Sequence, residues 1–129
     1  MGEKIAQRLT LAEEAWQDAQ HLISDRKSYR SGVSRSYYGI FHAAQALIIS
    51  KGLRAKSHSG LVHLFAEYFV RSEEFDSEYQ RIISNAFQFR QVGDYDPVVV
   101  ISKDEAELAV HQARQFIDRV KDYFSPLSD

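Results

Sequence analysis

The chain has 129 residues, of which 44% are hydrophobic and 26% charged, with a formal net charge of −2. That size holds one domain with a true hydrophobic core, and the balance excludes both a disordered polar chain and a globally basic nucleic-acid binder. No run of about 18 apolar residues is present to cross a membrane, and the absence of cysteine excludes disulfides, thiolate metal sites and cysteine nucleophiles.

The opening "MGEKIAQRL" has charges but no apolar core ahead of a cleavage site, so no secretory signal is expected, and the cytoplasm is the expected location. Apolar residues recur at three- and four-residue spacing with little alternation. The pattern predicts an all-α fold: an antiparallel bundle of five helices, with a four-helix up-down core plus a further helix, in a single domain over residues 1–129.

The first helix is expected from Glu3 to Ser24, with Ile5, Leu9, Ala12, Trp16, Ala19 and Ile23 facing inward. The second follows the basic turn "SDRKSYRSG" and covers Ser31 to Ser50, burying Val33, Tyr37, Ile40, Phe41, Ala44, Leu47 and Ile48. Gly52 suits the left-handed position just past its end. Ser57 is the expected N-cap of a third helix reaching Val70, with Leu61, Leu64, Phe65, Tyr68 and Phe69 as its apolar face. The acidic link "RSEEFDSEY" leads into a fourth helix, Ser77 to Val92, which Gly93 is expected to end. Asp96 before Pro97 disfavours helical angles, and "VVVI" at 98–101 suits a short extended segment with no strand to pair with. Pro97 and Pro126 both lie outside the periodic segments. Ser102 and Glu105 form a capping-box pattern for the last helix, whose stripe runs from Ala106 to Phe124.

Three stretches carry side chains with chemical potential. In "SRSYYGIFHA", Arg35, Tyr38 and His42 fall at i, i+3 and i+7 on one helical face, with Ser34 close to it. They read as hydrogen-bonded packing partners, as a helix-pairing seam, or as a site. In "KSHSG", Lys56 and His58 sit where a helix begins, where free N–H groups favour an anion, and Lys51 and Arg54 add to the same basic run. A solvated loop with one cap is the plainer reading. His58 and His63 diverge on a helix and make no metal pair. In "FRQVGDYDP", Arg90, Asp94, Tyr95 and Asp96 crowd a helix end. Either the aspartates make turn bonds and Arg90 pairs with one of them, or the group handles phosphate. In an up-down bundle the second–third and fourth–fifth loops would share one end and bring His58 near Arg90.

"SRSYYGIFHAAQALIISKGLRAKSHSG" followed by "FRQVGDYDP" resembles the HEPN domain (higher eukaryotes and prokaryotes nucleotide-binding), in its small stand-alone prokaryotic form. The likeness spans about residues 4 to 124. It implies a helical homodimer that partners a minimal nucleotidyltransferase in a toxin–antitoxin-like system and binds nucleotide or RNA phosphate, with no cofactor and no metal. Many such domains are metal-independent ribonucleases in which four to six residues separate an Arg from the following His. Arg90 falls at that Arg, but Tyr95, Asp96 and Pro97 occupy the window where the His would stand. The pair Arg35 and His42 has the right spacing on the wrong helix, a coincidental match. Three functional readings follow: a binding module, a ribonuclease toxin using Arg90 with His58 or His42, and a purely structural dimerisation bundle. The resemblance also marks Tyr95 as a tyrosine that a partner nucleotidyltransferase would modify.

Overall fold

The computed structural model describes residues 2–125, and among them every regular element is helical. The helices are α1 (Glu3–Ser24), α2 (Tyr29–Ser50), α3 (His58–Phe65), α4 (Ser77–Tyr95) and α5 (Lys103–Phe124). One turn of π-helix, Ala66–Val70, extends α3. Pro126 lies outside the described residues. No described helix is long and apolar enough to cross a membrane.

Local chemistry sets most of the ends. Gly52 adopts φ +75°, and its N–H bonds the Ile49 carbonyl at 2.9 Å while Leu53 N–H reaches Ile48 at 3.2 Å. This is the paired closure that a left-handed glycine permits after a helix. Ser57 Oγ accepts from Gly60 N–H at 3.0 Å at the start of α3. Ser102 and Glu105 satisfy each other's backbone N–H at 3.1 and 2.9 Å, the reciprocal cap of α5. Gly93 does not end its helix as expected. It lies buried within α4, which continues to Tyr95, and a Cβ there would come within 2.8 Å of Ile101 Cδ1. The residue is small because the chain after α4 folds closely over it.

The central helix is α2, with Val33, Ile40, Ala43, Ala44, Leu47 and Ile48 almost fully buried. Contacts along its length fix the directions of its neighbours. Gly39 faces Ala12 and Gly32 faces Ala19, so α1 runs antiparallel to it. Arg30, at the start of α2, bonds carbonyls of Gly93 and Val99 after long chain separations, so α4 finishes where α2 begins. Ile101 and Ala106 cluster with Ile23 and Val33, and Ile117 approaches Gly39, so α5 runs alongside α2. Helices α1, α2, α4 and α5 therefore form the up-down core.

The further helix, α3, departs from simple alternation. Its first residue, His58, meets Tyr37 in the middle of α2, while Lys51 lies over the Phe69 ring near the end of α2. The chain after Gly52 doubles back, held by Gln45 Nε2 donating to Ala55 O at 2.9 Å, and α3 then runs in the same sense as α2. The second–third and fourth–fifth loops consequently lie at opposite ends, which corrects the shared-end expectation.

Aromatic rings fill the space between α3, α4 and α5: Phe65, Phe69 and Phe116 are fully buried, and Phe65 meets Phe75 at 5.4 Å between centroids. Each such ring contributes roughly 1.5–3 kcal/mol on burial. A polar clamp ties α1 to α5, where Glu13 takes both Nη groups of Arg114 at 2.6 and 2.9 Å and also pairs with Lys121. Hydrogen bonds from Arg114 hold the Glu13 carboxyl down to about 2.

Candidate functional site

Tyr37, on the inward side of α2, is 3% exposed, yet its hydroxyl meets His58 Nδ1 at 3.1 Å. His58 is placed by the Ser57 cap, which starts α3 beside the middle of α2. Its ring lies flat on Phe87 of α4, with centroids 3.6 Å apart and planes 9° from parallel. Burial pushes the His58 pKa below the ordinary histidine value and raises the Tyr37 hydroxyl to about 12. At neutral pH both groups are therefore uncharged, and the contact is a hydrogen bond between a neutral phenol and a neutral imidazole.

Arg90 sits one turn beyond Phe87 on α4. Its guanidinium lies 5.5 Å from the Tyr37 centroid and 5.0 Å from that of Tyr38, over both rings. A cation held against aromatic faces in this way gains roughly 0.5–2 kcal/mol each, depending on exposure. Asp94, four residues on, brings Oδ2 to 3.1 Å from Arg90 Nε. The approach is off the hydrogen-bond direction, so Arg90 Nε–H is buried without an aligned acceptor, the one such side-chain atom among the described residues. The carboxylate thus neutralises Arg90 by charge while leaving its N–H directionality unused.

The site residues expected from sequence divide into three groups. Arg90, Asp94, Tyr38, Arg35 and His58 come together around the Tyr37 and Tyr38 rings: Arg35 lies 5.7 Å from the Tyr38 centroid and pairs with Asp18 at 3.6 Å. His42 is apart from them. Its Nδ1 takes a hydrogen bond from Arg8 Nη1 at 3.0 Å, and because Arg8 can only donate, the ring is neutral with its proton on Nε2. Burial, then Arg8 and Arg35, push its pKa below the usual value. Lys56 and Tyr95 are exposed, Tyr95 by 75%, without a side-chain partner among the described residues.

The basic run 51–58 does not form one patch. Lys51 pairs with Glu74 at 3.4 Å, Arg54 turns toward α1, His58 faces Tyr37, and Lys56 points to solvent. His63 pairs with its own helix at Glu67, 3.4 Å away, separately from His58. Asp96 behaves as a turn former, its Oδ1 accepting from Val98 N–H at 3.0 Å. The plain reading of the aspartates, with one in a turn and one on Arg90, is the arrangement observed. Segment 98–101 has no strand partner among the described residues; Val98 and Val100 are more than 80% exposed while Ile101 is buried.

Three residues lie outside what the sequence indicates. Phe87 carries no mark in the sequence beyond its position three residues before Arg90, which fits a ring platform on the same helix. Tyr37 falls among the core positions of α2, and its hydroxyl is the one signal of a second role. Arg30 carried no signal, since its acceptors lie 63 and 69 residues downstream.

Comparison with known proteins follows the same outline. The HEPN domain family matches residues 5–123. Two proteins of Methanocaldococcus jannaschii, each named "putative toxin", are similar: one is 36% identical over 119 residues, covering 92% of this chain and 87% of its own length. The other is 35% identical over 106 residues, covering 82% and 72% respectively. A UPF0332 protein of Thermotoga maritima is 29% identical over 110 residues, covering 85% and 83%.

Proposed function

The chain belongs to the HEPN domain family, and from that premise we propose that it is the toxin-type member of a toxin–antitoxin-like pair, a homodimeric module that binds nucleotide or RNA phosphate at Arg90 and partners a minimal nucleotidyltransferase. Its relatives named "putative toxin" support the setting. The observation that carries the phosphate reading is Arg90 itself. It is a cation seated on two tyrosine rings, with its side chain 19% exposed and a buried Nε–H lacking an aligned acceptor. The part of the guanidinium that stays exposed favours an oxyanion as its partner. The half-buried Tyr38 ring, flanked by Arg35 and Arg90, offers a face on which a base can stack. Tyr95, exposed on the last turn of the same helix, presents the hydroxyl that a nucleotidyltransferase would modify.

A second reading is a metal-independent ribonuclease. It is favoured by His58 and Arg90 touching the same Tyr37 ring, at 5.9 and 5.5 Å, so that a proton-handling pair lies beside a phosphate-binding cation. His42, engaged by Arg8, is the weaker proton handler.

One titration tests both readings. Labelled single-stranded RNA and ATP are bound in EDTA by wild type, Arg90→Ala and His58→Ala, with RNA integrity followed on gels. Arg90→Ala should weaken binding on the order of ten-fold. Wild-type affinity in that variant overturns the phosphate reading. RNA cut by wild type and spared by both variants would establish the ribonuclease.

A further inference from the structure

A groove of about 660 Å³ lies at the other end of α2 from Arg30, between the start of α1 and the connection that follows α2. Lys4 and Arg8 enter it from α1 and Arg54 from the connection, over an apolar floor of Leu11, Ile49 and Leu53. Its remaining lining is amide and glycine, so no carboxylate faces it. None of the three cations has a carboxylate within ion-pair distance among the described residues. In a chain of net charge −2, three unneutralised cations around one concavity form a local positive field that the composition as a whole does not foretell.

Two contacts make the groove a built feature. Arg8 spends one N–H on the neutral His42 ring, which fixes the guanidinium without cancelling its charge and leaves the rest of its donor fork free. Gln45, 3% exposed, ties Ala55 to α2 and holds the segment carrying Arg54 against the helix. Gly52, with φ +75° and no atom near where a Cβ would stand, keeps the wall between them low.

We propose that this groove is a second anion site that takes a chain of linked phosphates. Lys4 and Arg8 are four residues apart, about 6 Å along α1, and Arg54 faces them from the other wall. That spread suits several phosphates in series better than a single one. No aromatic ring lines the groove, so a base finds nothing to stack on, and the phosphate chain alone is recognised. A nucleoside triphosphate and successive phosphodiesters of an RNA strand both supply such a chain. The proposal is independent of the Arg90 site, which lies on the other half of α2.

Calorimetry of the full chain with sodium tripolyphosphate, in EDTA at low ionic strength, tests it, with ATP and a ten-uridine strand as parallel ligands. Wild type should bind tripolyphosphate, and the double variant Lys4→Gln/Arg54→Gln should bind it on the order of ten-fold less tightly, with an unchanged circular dichroism spectrum. Arg81→Gln, an exposed cation of α4 outside the groove, should leave tripolyphosphate binding unaltered. If the strand occupies the groove, the double variant should also lower its salt-dependence slope by about two; if ATP alone is weakened, the source is a triphosphate. Undetectable tripolyphosphate binding by wild type, or wild-type affinity in the double variant, overturns the proposal. Loss of RNA binding in Arg90→Ala together with unchanged tripolyphosphate and ATP binding in the double variant would leave the Arg90 reading standing and this one refuted.

Discussion

Replacing Arg30 with alanine should unlatch the end of α4 from the start of α2. The guanidinium donates one Nη group to the Gly93 carbonyl and the other to the Val99 carbonyl, bridging a helix end and the loop that follows. A hydrogen bond from a charged donor contributes roughly 1.5–3 kcal/mol net. Because the contacts are only part-buried, water partly replaces them in the variant. We therefore expect a total loss of about 2 kcal/mol rather than the full sum. For a urea slope near 2 kcal/mol/M, the unfolding midpoint should fall by about 1 M. Hydrogen exchange separates local from global effects. Amides of the last turn of α4 and of Asp96, which bonds the Val92 carbonyl, should lose protection, while those of Ile40 to Ile48, deep in α2, should change only with overall stability. RNA binding should weaken as well, since Arg90 and Asp94 stand on the freed turn. An unchanged midpoint together with unchanged exchange at 93–96 would refute the latch.

Gly32→Ala places a Cβ 2.4 Å from Ile23 Cγ1 and 2.6 Å from its Cδ1, in a cluster that has Ile23 nearly buried. Overpacking of about 1–3 kcal/mol outweighs a helix-propensity gain of about 1 kcal/mol, so chemical denaturation should show net destabilisation, and a stabilised variant would contradict the packing of α1 on α2. His42 and His58 both have pKa values pushed below that of an unfolded histidine, so the unfolded chain takes up protons first. Their contribution to stability is full above the unfolded value and is lost as pH falls below it. Denaturation midpoints should accordingly drop from about pH 7.5 to about pH 5.5, and the doubly substituted His42→Gln/His58→Gln chain should show a flatter profile; an equally steep one would assign the dependence elsewhere.

The helical plan was legible because it rests on local chemistry. The Ser57 cap, the Ser102–Glu105 box and the left-handed Gly52 each act within a few residues of chain, and each appears where its pattern indicates. Gly93 misled because the same residue type serves two purposes: it reads as a terminator, while here it makes room for Ile101. The direction of α3 was not legible either. It depends on Gln45 catching Ala55, a side chain meeting a backbone ten residues on, and nothing in helical periodicity records that. At the candidate site, the crowding of Arg90, Asp94 and Asp96 at a helix end was visible, but the choice of Asp94 as an i, i+4 partner was not, because it depends on α4 running past Gly93 to Tyr95. Nor was the platform under Arg90, since Tyr37 and Tyr38 reach it from α2 only after the bundle has closed.

The up-down course of α1 and α5 has a practical consequence. Ala12 meets Gly39 and Arg8 meets His42, so the first turn of α1 lies beside the finish of α2; Tyr123 bonds Glu74, which also pairs with Lys51, so the last turn of α5 arrives at the same pole. A label, surface tether or fusion partner joined ahead of α1 or behind α5 would emerge there. Tethered molecules would present the Arg90 half of the bundle outward and shield the groove that contains Lys4. Attachment through an exposed position such as Val98, at the opposite pole, would reverse that presentation, so the geometry of immobilisation decides which of the two proposed anion sites a surface-based measurement reports.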